Sequence, residues 1–426
     1  MLKKFILNSN NIMKTSFIWN AYAAMLNSFQ TTVLLVVLTR MGTDAESSAF
    51  VIAYAIANLL LHVGKFGIRQ FQVTDVNEKY SYKEYKDFRI ILVVFMMVCS
   101  FVYAGFKMYT GTYDLEKAII VLMICSLRAI EAFEDVIHGR LQQIGRLDIG
   151  AKILSIRLTV YAIGFIVLYA ITKNLTITCG ISLVAQGILA IVLNSMVAGT
   201  SNGSDKTITG NKKKLFFETL PLGIAMITSI YISNSPKYII DGYVSDEIQT
   251  NFNIVFMPVF VVAMLAGFIY QPLVKNIGHK WSEGRVSDVN KDVSRLCILT
   301  SIVVVLVVLC AYVLGIPVLE MVYGVDLELY KNELLLLTFT GGIIALQNIF
   351  IILITMIRKQ KLMLYGYLVI AGGILLLGKS ILKEFNIIGL CIFFMSALLM
   401  LLIYFVSIYL LEVRKTKRGN YDFTCI

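Results

Sequence analysis

Apolar residues are gathered into long runs, and short polar stretches separate them. Twelve runs reach the roughly 20 residues that a helix needs to cross a bilayer. They cover residues 16–39, 46–68, 88–106, 118–138, 148–170, 177–197, 215–238, 248–272, 296–317, 332–356, 362–382 and 387–411. A helix satisfies its own backbone hydrogen bonds in lipid, which an open sheet cannot do. The pattern therefore predicts an all-α integral membrane protein with about twelve transmembrane helices.

The polar stretches orient these helices. With the N-terminus inside, 27 Lys and Arg residues fall in cytoplasmic segments and eight in external ones. Lys65, Arg128 and Arg157 remain within the runs. The positive-inside rule then places both termini in the cytoplasm. Residues 199–214 (GTSNGSDKTITGNKKK) form the clearest linker. They divide the chain into an N-terminal lobe (1–198) and a C-terminal lobe (215–426) of six helices each, the second ending in a short basic tail. Both lobes start inside, so the division predicts a pseudo-twofold axis along the membrane normal. All five prolines lie in the second half, and Pro221, Pro236, Pro258 and Pro272 flank or interrupt the seventh and eighth runs. Those two helices are expected to be bent, because proline removes a backbone donor.

Composition narrows the function. Of the 426 residues, 58% are hydrophobic and 15% charged, against about 25% charged in soluble domains. A secreted enzyme, a nucleic-acid reader and a disordered scaffold are excluded. The net charge of +11 comes from the loops between runs and does not point to nucleic acid. Cys99, Cys125, Cys179, Cys310 and Cys391 lie in or beside apolar runs, and no CxxC or Cys/His spacing marks a metal site. No cofactor is expected. Lys3, Lys4 and Lys14 precede the first run, but it is long enough to span, so it reads as a retained helix rather than a signal peptide. Walker A, G-x-S-x-G and H-E-x-x-H motifs are absent from the sequence.

Polar residues inside the runs carry the candidate chemistry, since intramembrane charge is costly and usually functional. Asn58, His62, Lys65, Arg69 and Gln72 share one face of the second helix and its extension. No acid lies on that face, so it reads as an unpaired positive stripe suited to an anion, a phosphate above all; snorkelling of the bases to the inner surface is the alternative. Asn20 and Asn27 share a face of the first helix with Ser16 and Thr31. They can bond sugar hydroxyls or a neighbouring helix. The fourth helix carries Arg128, Glu131, Glu134, Asp135 and His138, with Arg157 at comparable depth on the fifth. This group reads either as a salt-bridge cluster joining the two helices or as a coupling relay. Lys237 stands toward the outer end of the seventh helix, where Asn234-Ser235-Pro236-Lys237-Tyr238 is expected to break it.

Three stretches carry a family resemblance: Phe66-Gly67-Ile68-Arg69-Gln70-Phe71-Gln72-Val73-Thr74-Asp75, the run from Arg128 to Asp148 (RAIEAFEDVIHGRLQQIGRLD), and Asn234 to Asp241 (NSPKYIID). They resemble the polysaccharide transporter family, which includes O-antigen-type flippases. That family shares the multidrug/oligosaccharidyl-lipid/polysaccharide exporter superfamily with lipid II flippases and MATE drug exporters. The resemblance implies two six-helix lobes around a central cavity. It also implies movement of an undecaprenyl-diphosphate-linked oligosaccharide from the inner to the outer leaflet of the cytoplasmic membrane. The implied partners are that lipid-linked substrate, membrane lipids and the enzymes of polysaccharide assembly. Matched by position, Lys65, Arg69 and Lys237 would hold the diphosphate, with His62, Asn20 and Asn27 as further substrate contacts. Arg128, Glu131, Asp135 and Arg157 would form the coupling or structural cluster. The eighth run lacks the intramembrane Arg of lipid II flippases, and the first lacks the acid of many MATE exporters. A MATE-like drug or metabolite antiporter is the alternative within the superfamily. A membrane polysaccharide polymerase or acyltransferase is the alternative from another class, with only His62 and His138 to serve it.

The orientation is directly testable. Membrane-impermeant thiol labelling of intact cells should miss a cysteine placed at Lys213 and reach one placed at Asp326. Labelling at position 213 would invert the topology.

Overall fold

The computed structural model describes residues 2–74, 80–201, 212–357 and 359–417. The helices are α1 (Leu2–Leu7), α2 (Ile12–Met41), α3 (Asp44–Lys65), α4 (Ile68–Thr74), α5 (Tyr82–Tyr109), α6 (Leu115–Gln143), α7 (Leu147–Thr172) and α8 (Leu175–Ser201). There follow α9 (Lys212–Ile240), α10 (Asp246–Phe256), α11 (Pro258–Ser282), α12 (Val286–Cys310), α13 (Ile316–Tyr323), α14 (Lys331–Met356) and α15 (Gln360–Lys417). Among the described residues there is no strand. The all-α expectation holds. Of the predicted linker, residues 202–211 lie outside the described residues, as do Asp75 of the first motif and Arg418 of the basic tail.

Among the described residues ten helices are long and apolar enough to cross a membrane. Each of the twelve predicted runs nonetheless falls on helix. The tenfold count omits α6, whose apolar stretch is interrupted by Arg128, Glu131, Glu134 and Asp135. It also takes α15 as one span, although Asn386 (φ 59°, ψ −165°) breaks it between the eleventh and twelfth runs.

The prolines act less uniformly than the sequence implies. The eighth run is interrupted, with α10 ending at Phe256 and Pro258 opening α11, a position where its missing N–H costs nothing. The seventh is not: α9 runs unbroken through Pro221 and Pro236. The expected break near Lys237 is therefore corrected. Pro236 cannot donate to the carbonyl of Ile232, and the hydroxyl of Ser235 donates to it instead at 2.9 Å. Hydroxyls commonly rescue prolines in membrane helices in this way.

The chain divides into two compact units, residues Met1–Ile230 and Tyr231–Ile426. The division falls within α9. In the first unit α6 packs against α3, α4, α5, α7 and α8. In the second, α14 packs against α10, α11, α12 and α15. The two central helices solve burial differently. α14 is largely apolar, and Gly341 lies so close to α11 that a Cβ there would come 2.6 Å from the carbonyl oxygen of Val259. Small residues allow this approach between membrane helices. The centre of α6 is charged.

In the first unit α1 is tied down by α7. Ile6 is fully buried. The Lys152 ammonium donates to the carbonyls of Phe5 and Asn8 and to Ser9 Oγ at 2.8, 3.0 and 3.0 Å. Arg146 donates to the carbonyl of Leu7 at 2.6 Å. Cations at a helix C-terminus satisfy carbonyls that have no partner in the helix. Hydrogen bonds to a charged group contribute about 1.5–3 kcal/mol. Lys152→Ala should therefore speed amide exchange of residues 2–9 by about tenfold or more, leaving α5 and α6 protected. Unchanged exchange would assign the docking of α1 to Ile6 and Arg146 instead.

Candidate functional site

The two polar stripes read separately from the sequence meet in the first unit. α3 ends at Lys65, where Phe66 (φ 45°) and Gly67 (φ 69°) turn the chain before α4 begins at Ile68. A left-handed turn at Phe66 is uncommon for a residue with a Cβ. Across that turn Lys65 and Arg69 remain four residues apart, and so do Glu131 and Asp135 on α6. The pairs are in register. Lys65 Nζ lies 2.7 Å from Glu131 Oε1, and Arg69 Nη1 lies 3.3 Å from Asp135 Oδ1. The stripe on α3 and α4 is thus not the unpaired one its sequence implies. Its counter-charges come from another helix, which no reading of one helix face can show.

Each carboxylate also holds a second base on its other oxygen. Arg128 Nη1 lies 2.6 Å from Glu131 Oε2, and its guanidinium sits over the Tyr54 ring at 5.2 Å. Arg89 Nη2 lies 2.9 Å from Asp135 Oδ2, and Arg89 Nη1 donates to the carbonyl of Gly64 at 2.7 Å. The two bases of each carboxylate differ in access. Arg89 and Arg128 are 0% and 7% exposed, whereas Lys65 and Arg69 are 24% and 26% exposed. Each acid therefore has a locked partner and an accessible one. Lys65 or Arg69 can turn to an incoming anion without leaving a carboxylate unpaired, which would otherwise cost about 3–5 kcal/mol. Arg69 also donates from Nε and Nη2 to Gln142 Oε1 at 3.1 and 2.9 Å.

Glu134 faces another way, toward α7 and α8. Its Oε2 lies 2.7 Å from Arg157 Nε, an ion pair whose N–H is not aligned on the oxygen. Its Oε1 accepts from Asn194 at 2.7 Å. Nearby, a cavity of about 20 Å³ is lined by Gln30, Tyr54, Arg128, Arg157, Tyr161 and Gln186 among others. Gln30 Oε1, Gln186 Oε1 and Arg157 Nη2 are buried there without a hydrogen-bond partner among the described residues. Tyr54 accepts from Gln30 at 2.9 Å and bonds Tyr161 at 2.6 Å.

The other predicted residues fare unequally. Asn27 joins the cluster, accepting from Arg128 Nη1 at 3.3 Å. His62 Nδ1 bonds the carbonyl of Asn58 within its own helix at 2.8 Å. Asn20 is exposed on α2. Lys237 belongs to the second unit. Its ammonium lies 4.8 Å from the ring centre of Phe256 and 5.5 Å from that of Phe260. Among the described residues it makes no ion pair. Aromatic faces attract a cation without neutralising it.

Arg89 is the residue that sequence reasoning missed. It sits one residue inside the third apolar run, next to the charges of the preceding loop. The signal was the capping box Ser81–Glu84, which starts α5 at Tyr82 and puts Arg89 two turns into the helix.

No model of a known family and no curated protein matches the sequence. Solved structures do match. An inward-facing multidrug resistance MATE family transporter of the MOP superfamily shares 11% identity, with a TM-score of 0.63 over 92% of this chain and 96% of its own. A mutant of the Vibrio cholerae MATE transporter VcmN shares 12%, with a TM-score of 0.63 over 97% and 98%. A MOP superfamily transporter from Pyrococcus furiosus shares 12%, with a TM-score of 0.56 over 95% and 96%; its reverse-polarity binding pocket is taken to suggest a different function. The chain thus has the fold of MATE transporters and is a multi-pass membrane protein.

The division into locked and accessible bases predicts unequal effects on stability. Arg89→Ala removes the locked partner of Asp135 and should lower the stability of detergent-purified protein by about 3–5 kcal/mol. Arg69→Ala leaves Asp135 held by Arg89 and should cost under about 1 kcal/mol. Equal losses in thermal unfolding would reject the division.

Proposed function

We propose that this chain is an alternating-access transporter of the cytoplasmic membrane, that its cargo is anionic, and that the cargo is an undecaprenyl-diphosphate-linked oligosaccharide moved from the inner to the outer leaflet for cell-surface polysaccharide assembly. One observation carries this reading. In the first unit five buried or half-buried bases (Lys65, Arg69, Arg89, Arg128 and Arg157) face three carboxylates (Glu131, Glu134 and Asp135). A surplus of positive charge within a membrane protein calls for an anion. A diphosphate cannot cross about 30 Å of hydrocarbon uncompensated.

In this reading Lys65 and Arg69 bind the diphosphate in the first unit. They leave Glu131 and Asp135 to Arg128 and Arg89, and regain them on release. Lys237 serves the second unit. Lysine, a point charge on a flexible stem, suits transfer better than the planar arginine fork. Asn20 and Asn27 are the candidates for sugar contacts.

A drug or metabolite antiporter is the second reading, and the fold of the matching MATE transporters favours it. A cationic drug would need an unpaired acid, and Glu131 and Asp135 each hold two bases.

Reconstitution into vesicles separates the two. The protein should speed the transbilayer movement of a fluorescent undecaprenyl-diphosphate glycan. Lys65→Ala and Lys237→Ala should each slow it at least tenfold at normal protein abundance, and Lys65→Arg should keep part of the rate. Ethidium transport with no movement of the glycan lipid would support the antiporter instead.

A further inference from the structure

The first two turns of α12 form a surface that transport as described does not use. Ser287, Asn290, Lys291, Ser294 and Arg295 line one open groove of about 670 Å³, together with Ile298 and Leu299. Their spacing of three and four residues puts them on one face of the helix. The face continues without interruption as Ile302, Val305, Leu306 and Leu309, all between 51% and 57% exposed. A polar, basic stretch thus leads into about three apolar turns.

The charges of this face are not consumed within the unit. The acids of α12 turn elsewhere: Asp288 is paired with Arg285 at 2.7 Å and Asp292 with Lys280 at 2.6 Å. Lys291 and Arg295, one helical turn apart, have no carboxylate within 4.0 Å among the described residues. Asn290 is fixed from α15, since its Oδ1 accepts from the Tyr409 hydroxyl at 2.6 Å. What Asn290 still offers the groove is its N–H₂. Two hydroxyls, an amide donor and two cations therefore converge at the rim of a lipid-length apolar face.

We propose that this groove binds the headgroup of an anionic phospholipid, with the acyl chains lying along Ile298 to Leu309. The donor set matches a phosphate, which accepts from hydroxyl, amide and cationic groups alike. The apolar continuation separates the site from one for a free anion. Random positive charge beside a membrane helix needs no such continuation; on α15 the exposed Arg414 is a basic residue for comparison, and its neighbour Lys415 is paired with Glu412 at 2.8 Å. The position also agrees with the inner leaflet, where the loop charges place this end of α12 and where anionic lipids concentrate.

The site is separate from Lys65, Arg69 and Lys237, so its test does not depend on the cargo. Purified protein in nanodiscs of phosphatidylcholine would be titrated with phosphatidylglycerol, and retained lipid measured by native mass spectrometry. Lys291→Ala combined with Arg295→Ala should weaken retention about 30-fold, the equivalent of two charges worth about 1 kcal/mol each. Arg414→Ala should leave it unchanged. Ile298→Asn, which keeps both cations and adds no charge, should also weaken retention. Equal retention by the double variant, equal loss from Arg414→Ala, no effect of Ile298→Asn, or full displacement by millimolar inorganic phosphate would each overturn the assignment.

Discussion

Keeping the carboxylates of α6 neutralised inside hydrocarbon is the constraint on which the first unit depends. Glu131, Glu134 and Asp135 lie within one helix that has neighbours on nearly every side. A lone charge there is costly, so those neighbours must deliver bases at fixed depths. α3 and α4 bring Lys65 and Arg69, α5 brings Arg89, and α7 brings Arg157. The left-handed turn at Phe66 and Gly67 follows from the same demand, because it ends α3 while keeping the two bases one turn apart. In the second unit α14 has no such centre, and glycine contacts replace ion pairs there.

Pairing of this kind is weak evidence for stability, since apolar packing does as well. What the arrangement permits is exchange. A carboxylate with one buried and one accessible base can surrender the accessible one and still be neutralised. An anion arriving at Lys65 or Arg69 then replaces one ion pair with another, and the net change in buried charge is small. A single-partner arrangement would impose the full cost of an exposed acid at the moment of binding.

Much of the fold could be read from the chain because membrane helices announce themselves by length and hydropathy. The breaks could not. Pro236 and Pro258 look alike in sequence, yet only the second ends a helix, because Ser235 supplies the hydrogen bond that Pro236 cannot. Asn386 ends a helix with no proline at all. In the charged centre the sequence shows the individual polar residues of each helix, but not which of them meet. The stripe of α3 and the acids of α6 each suggested a function alone, and only together do they neutralise one another. Arg89 was hidden for a related reason: its neighbours in sequence are loop-like charges, and its partner lies 46 residues away.

Lys237 completes the contrast between the units. The bases of the first unit are held by carboxylates, which must be displaced before an anion can bind. Lys237 is held by the faces of Phe256 and Phe260, which stabilise an ammonium by about 0.5–2 kcal/mol and leave its charge intact. An ion pair guards its base against weak anions, whereas an aromatic cradle leaves it open to any. For the diphosphate cargo proposed above, guarded bases and an open one would play different parts. The guarded pair would set a threshold that favours a multiply charged headgroup over a weak anion, and the open lysine, a point charge on a flexible stem, would give a single contact that lets the headgroup go.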